Sequence, residues 1–311
     1  MTSRPPIRPQ LPLLGLGTAP LGNLFTPISD EAAVSTVAAA WDAGVRCFDT
    51  APQYGHGLAE TRLGRALTGC PRDEYLVASK VGRLLRHVST RPDTIFRDIP
   101  DVDPVFDFSR DGVLRSIEES LTRLGLDRLD VVHVHDPDAH EDEALSTAFP
   151  TLIELRDQGV IGRVGCGMNQ AEMLSRFVVQ VDLDCVLLAG RYSLLDRRGA
   201  VLLDQCAAHG VDVIIGGVFN SGLLARPEVG ATFDYATAPA VLVERARAMQ
   251  AVCAEHGAAL PAAAMQFAMR HPAVCTVLVG ARSAAEIIAD VAFAAAVLPD
   301  ALWPALEPAT L

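Results

Sequence analysis

The chain has 311 residues, of which 50% are hydrophobic and 21% are charged, and its formal net charge is -12. This composition describes a globular protein with a large core, and the length suits either one α/β barrel or two smaller domains. The acidic balance argues against nucleic acid or an anionic membrane as the main partner, because either requires a basic surface.

The cysteines and the N-terminus bear on the cellular compartment. The seven cysteines are scattered, form no C-x-x-C pair and lie mostly in apolar runs, which predicts free thiols in a reducing environment. The N-terminal segment MTSRPPIRPQLPLL lacks the apolar core of a signal peptide, and no later stretch is apolar enough to span a bilayer. The predicted location is the cytoplasm.

Strand-like and helix-like segments alternate along the chain. The predicted strands are the apolar runs at 13–18, 45–48, 75–78, 129–138, 160–167, 184–190, 211–217 and 275–281. The predicted helices cover 30–43, 59–68, 111–125, 143–158, 170–179, 199–209, 240–256 and 261–270, and a last one starts at Ser283. The connection 81–108 holds three prolines and no clear period, as in a functional or disordered loop.

Eight strand-then-helix units without a linker predict an α/β fold, a single (β/α)8 TIM barrel over residues 1–311. A doubly wound open sheet is the alternative. It has weak support, because the G-x-G at Gly15 to Gly17 lacks the third glycine and the downstream acid of a dinucleotide-binding fingerprint.

The carboxyl ends of the second, third and fourth strands carry four titratable residues: Asp49, Tyr54, Lys80 and His135. In a barrel these strand ends meet at one side of the rim, where catalytic residues lie. A tyrosine in a Gly-rich loop or a lysine after a strand is usually structural when taken singly. Four such groups at successive strand ends favour a functional site.

The chemistry of this set is proton transfer. A tyrosine hydroxyl, with a pKa near ~10, is a poor base at neutral pH, and a neighbouring ammonium lowers that pKa. We expect Asp49 to hold Lys80 in place and Lys80 to lower the pKa of Tyr54. His135 is expected to hydrogen-bond the reacting oxygen, so the site would move a proton at a hydroxyl or carbonyl group.

A metal-dependent hydrolase is a different interpretation of the same region. His133 and His135 form an H-x-H pair on a strand, but such sites need further ligands from later strand ends, and strands five to eight offer no convincing ones. No metal site is therefore predicted, and His133 is expected to face the barrel interior. A non-catalytic binding subunit on the same fold is a further alternative.

The runs FDTAPQYGHGLAETRLGRAL, VASKVG, DVVHVHDPD and IGRVGCGMNQ, in this order, resemble the aldo-keto reductase superfamily. The resemblance implies an NAD(P)-dependent barrel enzyme in which Tyr54 is the general acid/base, Asp49 and Lys80 tune it, and His135 orients the substrate. The segments LLAGRYSLLD, GGVFNSGLLA and VLVGARSAAE look most like the branch with L-fucose (D-threo-aldose) 1-dehydrogenases and pyridoxal 4-dehydrogenase.

That branch implies oxidation of the anomeric hydroxyl of an aldose, such as L-fucose or D-arabinose, to a lactone. Pyridoxal 4-dehydrogenase and a general aldehyde or ketone reductase are the alternatives. The implied partner is a small hemiacetal substrate, with no nucleic acid and no membrane; no oligomeric state is predicted. Phe25, the loop 81–108 and the loop from Asn220 should form the pocket, and Arg83, Arg86, Arg191 and Asn220 are candidates for contacting substrate hydroxyls.

The resemblance also implies positions that contact the cofactor: Thr18, Asp49, Asn169, Tyr192, Phe219, Asn220, Ser221, Gly222, Leu223, Gly280, Arg282, Ser283 and Glu286. Three positions depart from the family pattern. Met168 replaces a serine, Ala189 replaces a glutamine, and Gly216 stands where relatives place an aromatic ring, a space that Tyr192 is expected to fill. Glu286 would repel a 2′-phosphate, so the prediction leans to NAD over NADP.

Overall fold

The computed structural model describes residues 10–90 and 93–307. Eight parallel strands close into a barrel in which each strand pairs with its neighbours in chain order and the last strand pairs with the first. The predicted (β/α)8 fold is confirmed, and the open sheet is wrong. The barrel strands β1 to β8 span Leu14–Gly17, Cys47–Asp49, Leu76–Val81, Leu129–His135, Ile161–Met168, Cys185–Ala189, Asp212–Gly216 and Val274–Gly280.

Most helices lie where they were predicted. Helices α1 to α10 span Asp30–Asp42, Leu58–Ala66, Arg110–Leu124, Phe149–Asp157, Ala171–Gln180, Ala200–His209, Ala240–Glu255, Leu260–Met269, Ala284–Ala295 and Leu302–Leu306. The helix predicted over 143–158 is interrupted, because a short helix, Glu141–Glu143, and a π-helical turn, Ala144–Ala148, precede α4. Helix α10 was not predicted.

Serine side chains cap the starts of helices α1, α3 and α9. Ser29 Oγ accepts a hydrogen bond from the Ala32 amide at the start of α1, and Ser109 Oγ accepts one from the Gly112 amide at the start of α3. These bonds satisfy amides that have no partner in the first helical turn. Helix α3 ends at Gly125, whose positive φ of 65° suits glycine at this position.

Alternation along the strands creates an inner and an outer core. On β3, Leu76 and Ala78 belong to the cluster inside the barrel, while Val77 and Val81 pack in the layer between strands and helices. Lys80 continues the inward series because side chains alternate faces along a strand. On β4, the same alternation places the side chains of Val131, His133 and His135 on the inward face. The predicted inward direction of His133 agrees with this alternation, because His133 shares a face with Val131, which belongs to the cluster inside the barrel.

The connection 81–108 contains an antiparallel hairpin, so the expectation of an aperiodic loop is wrong. Strand Arg83–His87 pairs with Val102–Phe106, with Arg83 opposite Phe106 and Leu85 opposite Pro104. Pro104 obscured the second strand in the sequence, since proline is tolerated only where no ladder donor is needed. A second small hairpin, Thr232–Phe233 with Ala236–Thr237, lies beyond β7.

Other features bear on the compartment prediction. All seven cysteines are free and five of them are buried, which confirms the thiol prediction. Over residues 10–90 and 93–307, no helix has both the length and the apolar character that crossing a bilayer requires. Residues 1–9, in the segment where no signal peptide was predicted, lie outside the described residues.

Candidate active site

The four predicted titratable residues lie together at the carboxyl-terminal rim of the barrel. Lys80 Nζ is 4.6 Å from the centre of the Tyr54 ring, and the rings of Tyr54 and His135 are 6.1 Å apart in an edge-on arrangement. The ammonium also donates to Asp49 Oδ1 at 2.6 Å. The strand alternation that turns Lys80 and His135 inward therefore places an acid, a phenol, an ammonium and an imidazole around one point.

Lys80 and Asp49 are held as a buried pair. The Lys80 ammonium donates to the Asp49 carboxylate and to the Thr50 carbonyl at 2.8 Å, and both side chains are almost fully buried. Charge-assisted hydrogen bonds of this kind fix both partners in position. The expectation that Asp49 holds Lys80 thus agrees with the geometry.

The Tyr54 hydroxyl is more basic than the sequence suggested. Burial raises the pKa of Tyr54 well above its usual value, and the charge of Asp49 adds to the rise while Arg83 opposes it. The pKa of Tyr54 is thus raised in this structure, whereas a lowering by Lys80 was expected from the sequence. Tyr54 is therefore a protonated acid at neutral pH.

His135 is a neutral hydrogen-bonding group. Burial, followed by the charges of Arg83 and Lys80, lowers the pKa of His135 well below its usual value. Its ring lies at the mouth of the barrel, one step above His133. A neutral imidazole can donate from only one nitrogen, so its role depends on which nitrogen carries the proton.

His133 lies one layer deeper and has no polar partner. Burial lowers the pKa of His133 to about 3, and among the described residues neither ring nitrogen has a hydrogen-bond partner. Gly165 leaves the room for its ring, since a Cβ there would come within 2.3 Å of Nδ1. In the part of the chain that the structure describes, no three His, Cys, Asp or Glu side chains are placed to bind a metal together.

A pocket of about 210 Å³ opens above these residues. Tyr54, Lys80 and His135 form its polar floor, together with Gln53, Asp136 and Asn169. The remaining lining is mostly apolar. Leu24, Ile95, Phe96 and Tyr235 come from the loops after β1 and β3 and from the second hairpin, and Met168 and Leu187 come from strands β5 and β6. The predicted contribution of the loop 81–108 is thus present through Ile95 and Phe96.

Several positions near the floor suit a flat ring that bears an amide. Asn169 lines the pocket, and Thr18 Oγ1 and Asp49 Oδ2 are buried atoms without a hydrogen-bond partner among the described residues. A Cβ built at Gly216 would meet only Leu187 at 3.7 Å and Ala189 at 3.9 Å, so the floor there is open. Unpaired buried polar atoms favour a ligand that supplies partners, and this donor set fits a nicotinamide.

The loop after β7 uses its side chains within the protein. Asn220 Oδ1 accepts from Ser193 Oγ at 2.6 Å, Ser221 Oγ accepts from the Tyr235 amide at 3.1 Å, and Leu223 is fully buried. Phe219 packs against the hydrophobic core. The backbone from Asn220 through Gly222 has positive φ throughout. This loop would therefore contact a cofactor mainly through its backbone.

Tyr192 does not enter the pocket, which corrects the expectation that it fills the space beside Gly216. Its ring packs on α8 against Phe267 at 5.2 Å and against His271 at 5.8 Å. The ring is partly buried against the core outside the barrel. Tyr235 is the aromatic residue that lines the pocket from this side.

Tyr235 was not predicted as a pocket residue, because the turn that carries it is unusual. Asp234 and Tyr235 form the two-residue loop of the second hairpin, and both have positive φ. Such loops usually show Asn-Gly or Asp-Gly, so Asp-Tyr gave no recognisable signal. Arg191, a candidate for contacting substrate, instead pairs with Asp234 at 2.6 Å and anchors this hairpin.

The segment from Gly280 to Glu286 starts helix α9. Ser283 Oγ accepts from the Glu286 amide at 3.2 Å, and Glu286 Oε2 accepts from the Arg282 amide at 2.8 Å. This is close to a capping box, a pattern readable in the sequence as Ser283-x-x-Glu286. Glu286 Oε1 also lies 3.4 Å from the Arg282 guanidinium. Glu286 therefore has a structural role, and it partly neutralises Arg282.

A (β/α)8 barrel with a buried Lys-Asp pair beside a tyrosine hydroxyl is a site for chemistry at CH–OH or carbonyl groups. Residues 13–309 match the model of the Aldo/keto reductase family. The chain belongs to this family and is an oxidoreductase. Aldo-keto reductases use nicotinamide cofactors.

Two curated relatives resemble the chain over most of its length. It is 42% identical to a D-threo-aldose 1-dehydrogenase from a Pseudomonas species, with 97% of this chain and 94% of the relative covered. It is 40% identical to pyridoxal 4-dehydrogenase from Microbacterium luteolum, with 94% and 92% covered. The solved structure of an aldo-keto reductase from Bacillus halodurans shares the fold, with a TM-score of 0.76, 24% identity, and 95% and 91% covered.

Proposed function

We propose that this protein oxidises the anomeric hydroxyl of a small aldose to a lactone, with NAD as the cofactor and Tyr54 as the acid/base. The observation that carries the proposal is the placement of Tyr54 between the Lys80–Asp49 pair and the neutral His135 at the floor of the pocket. The similarity to a D-threo-aldose 1-dehydrogenase supports the choice of substrate class.

Each residue has a defined part in this proposal. His135 donates a hydrogen bond to the reacting oxygen, and Tyr54 takes the proton of the anomeric hydroxyl in oxidation or returns it in reduction. Lys80 and Asp49 hold the polar floor in place. A bound nicotinamide would supply the acceptor for the hydride that leaves the anomeric carbon. Thr18 and Asn169 are the side chains that would hold its amide group.

Because Tyr54 is protonated at neutral pH, the free protein is better prepared to give a proton than to take one. Proton donation serves carbonyl reduction, and proton removal serves oxidation and improves as the pH rises. The proposed oxidation should therefore be measurable above neutral pH, and reduction of an aldehyde or ketone with reduced cofactor should proceed at neutral pH.

Pyridoxal is the second candidate substrate, and the pocket walls favour it. Phe96 and Tyr235 line the pocket, and the Tyr235 ring lies 6.3 Å from that of Phe25. Aromatic walls suit a pyridine ring better than a sugar ring that carries hydroxyls on all sides. The similarity to pyridoxal 4-dehydrogenase agrees with this alternative.

The lean to NAD is supported by the Glu286–Arg282 contact, since a neutralised guanidinium is a weaker partner for a 2′-phosphate. A cytoplasmic location is supported by the seven free thiols.

The experiment that tests the proposal is a spectrophotometric screen of L-fucose, D-arabinose, L-galactose and pyridoxal with NAD+ and NADP+. The expected result is formation of reduced nicotinamide with at least one sugar and faster turnover with NAD+. The matched control is Tyr54→Phe, which removes only the hydroxyl. If pyridoxal were the only compound turned over, pyridoxal would replace the aldose as the proposed substrate. If no compound were turned over, both proposals would be contradicted.

A further inference from the structure

Arg83, the first residue of the hairpin after β3, contacts three polar groups of the site. Its guanidinium donates to Gln53 Oε1, to His135 Nδ1 at 3.0 Å and to Asp136 Oδ2 at 3.0 Å. The side chain is buried, and its guanidinium carbon lies 4.7 Å from the centre of the Phe106 ring. The fixed geometry of the hairpin thus holds this cation beside the imidazole.

The contact with His135 determines which ring nitrogen is protonated. A guanidinium has only donors and stays charged in proteins, so His135 Nδ1 must be the acceptor and must carry no proton. The imidazole is neutral, since burial and the charges of Arg83 and Lys80 lower its pKa. A neutral imidazole with an unprotonated Nδ1 carries its proton on Nε2.

The proton on Nε2 is available to a ligand. Asp136 Oδ2 lies 3.5 Å from Nε2, which is longer than a normal hydrogen bond. The same carboxylate oxygen already accepts from Arg83 at 3.0 Å. An oxygen atom in the pocket can therefore receive the Nε2–H bond without displacing a strong one.

We propose that Arg83 is a positioning residue that fixes the Nε2–H tautomer of His135, so that the imidazole can only donate to the substrate oxygen. The opposite tautomer would present a lone pair on Nε2 and could not donate a hydrogen bond to that oxygen. This inference rests on the proposed function, and it assigns to Arg83 a role different from the contact with substrate hydroxyls expected from the sequence.

The test begins with the protein free of substrate. In nitrogen-15 NMR of the histidine rings, with His135→Gln used to assign the signal, wild-type His135 should show the neutral Nε2–H tautomer at neutral pH. The Nδ1–H tautomer in the wild type would overturn the inference without any variant at position 83.

The variants then test the cause. Arg83→Met should allow the Nδ1–H tautomer to appear and should lower kcat about 10- to 100-fold with a smaller change in KM. Arg83→Lys should keep a larger Nε2–H population than Arg83→Met, because an ammonium can also only donate. Arg110→Met, which removes an exposed arginine bonded twice to Glu154, is the matched control and should leave both readouts unchanged.

The outcomes separate the two proposals. An unchanged tautomer and unchanged kcat in Arg83→Met would overturn the role of Arg83 even in an active enzyme. A shifted tautomer in a protein that turns over none of the tested sugars, pyridoxal or simple aldehydes would leave the Arg83–His135 relationship standing and would overturn the proposed function.

Discussion

Lys80 and Asp49 form a buried ion pair in which Nζ lies 2.6 Å from Oδ1 and the side chains are 1% and 4% exposed. Burial raises the pKa of Asp49, and the charge and hydrogen bond of Lys80 oppose that rise. The Asp49 carboxylate therefore depends on Lys80 to stay charged at this depth. Lys80 lines the pocket, and burial is the largest cause of the raised pKa of Tyr54, with the charge of Asp49 adding to it.

Removing one member of this pair should be costly. We expect Lys80→Met to lower the free energy of unfolding by about 3–5 kcal/mol, because it leaves a buried carboxylate without its partner. The double variant Lys80→Met/Asp49→Asn should recover part of this loss. Urea denaturation measures both. Arg110→Met is the control, because it breaks an exposed ion pair worth about 1 kcal/mol or less. If Lys80→Met lowered the free energy of unfolding no more than Arg110→Met does, the Lys80–Asp49 pair would have no special role in stability.

Deleting the Tyr54 hydroxyl should remove the proton-transfer group and leave the fold intact. Tyr54→Phe is expected to reduce kcat by about 10²- to 10⁴-fold in both directions. Tyr192→Phe is the matched control, because it removes a hydroxyl from a ring that packs on α8 outside the pocket. Steady-state assays measure the activity, and thermal melting shows whether the variant is folded. Full activity of Tyr54→Phe would contradict the mechanism.

The pH dependence should reflect the raised pKa of Tyr54. Oxidation requires the deprotonated hydroxyl, so its kcat/KM should rise about tenfold per pH unit and should not level off near neutral pH. Reduction requires the protonated form and should lose activity only as the pH approaches that same high pKa. His135 should add no step near pH 6.5, because its pKa lies well below that value. A plateau in oxidation below pH 8 or so would contradict this assignment.

Glu286 should influence cofactor choice through Arg282. In Glu286→Gln the guanidinium loses its neutralising partner, and we expect the ratio of kcat/KM with NADP+ to that with NAD+ to rise about fivefold. The weaker cap on α9 should also lower stability by about 0.5–1 kcal/mol. Glu255→Gln, an exposed site near the end of α7, is the control for charge alone. An unchanged ratio would mean that Glu286 acts only as a helix cap.

Tyr235 should discriminate between the two candidate substrates. Tyr235→Ala removes an aromatic wall worth about 0.5–1.5 kcal/mol to a stacked ring, so KM for pyridoxal should rise about two- to tenfold. The KM for a sugar should change less. Tyr235→Phe should behave like the wild type if the ring is what matters. Equal effects on both substrates would contradict a role for the ring in selectivity.

The amino-acid sequence alone determined the barrel and the four rim residues. Eight apolar runs separated by helical patterns leave a closed parallel sheet as the compact solution, and the strand period of two turns Lys80 and His135 inward. Serine caps such as Ser29 and Ser109 are local in the sequence, so they can be recognised without the tertiary structure. The capping pattern of Ser283 and Glu286 was equally local, but it was assigned to cofactor binding.

Only the tertiary structure decided how these groups act on one another. The pKa of Tyr54 depends on burial and on the charges of Asp49 and Arg83, and neither is visible in a one-dimensional pattern. The contact of Arg83 with His135 joins residues 52 positions apart through a hairpin whose second strand contains a proline. Tyr235 lines the pocket because the turn of the second hairpin carries it there. Tyr192 lies outside the pocket because its ring packs against Phe267 on α8.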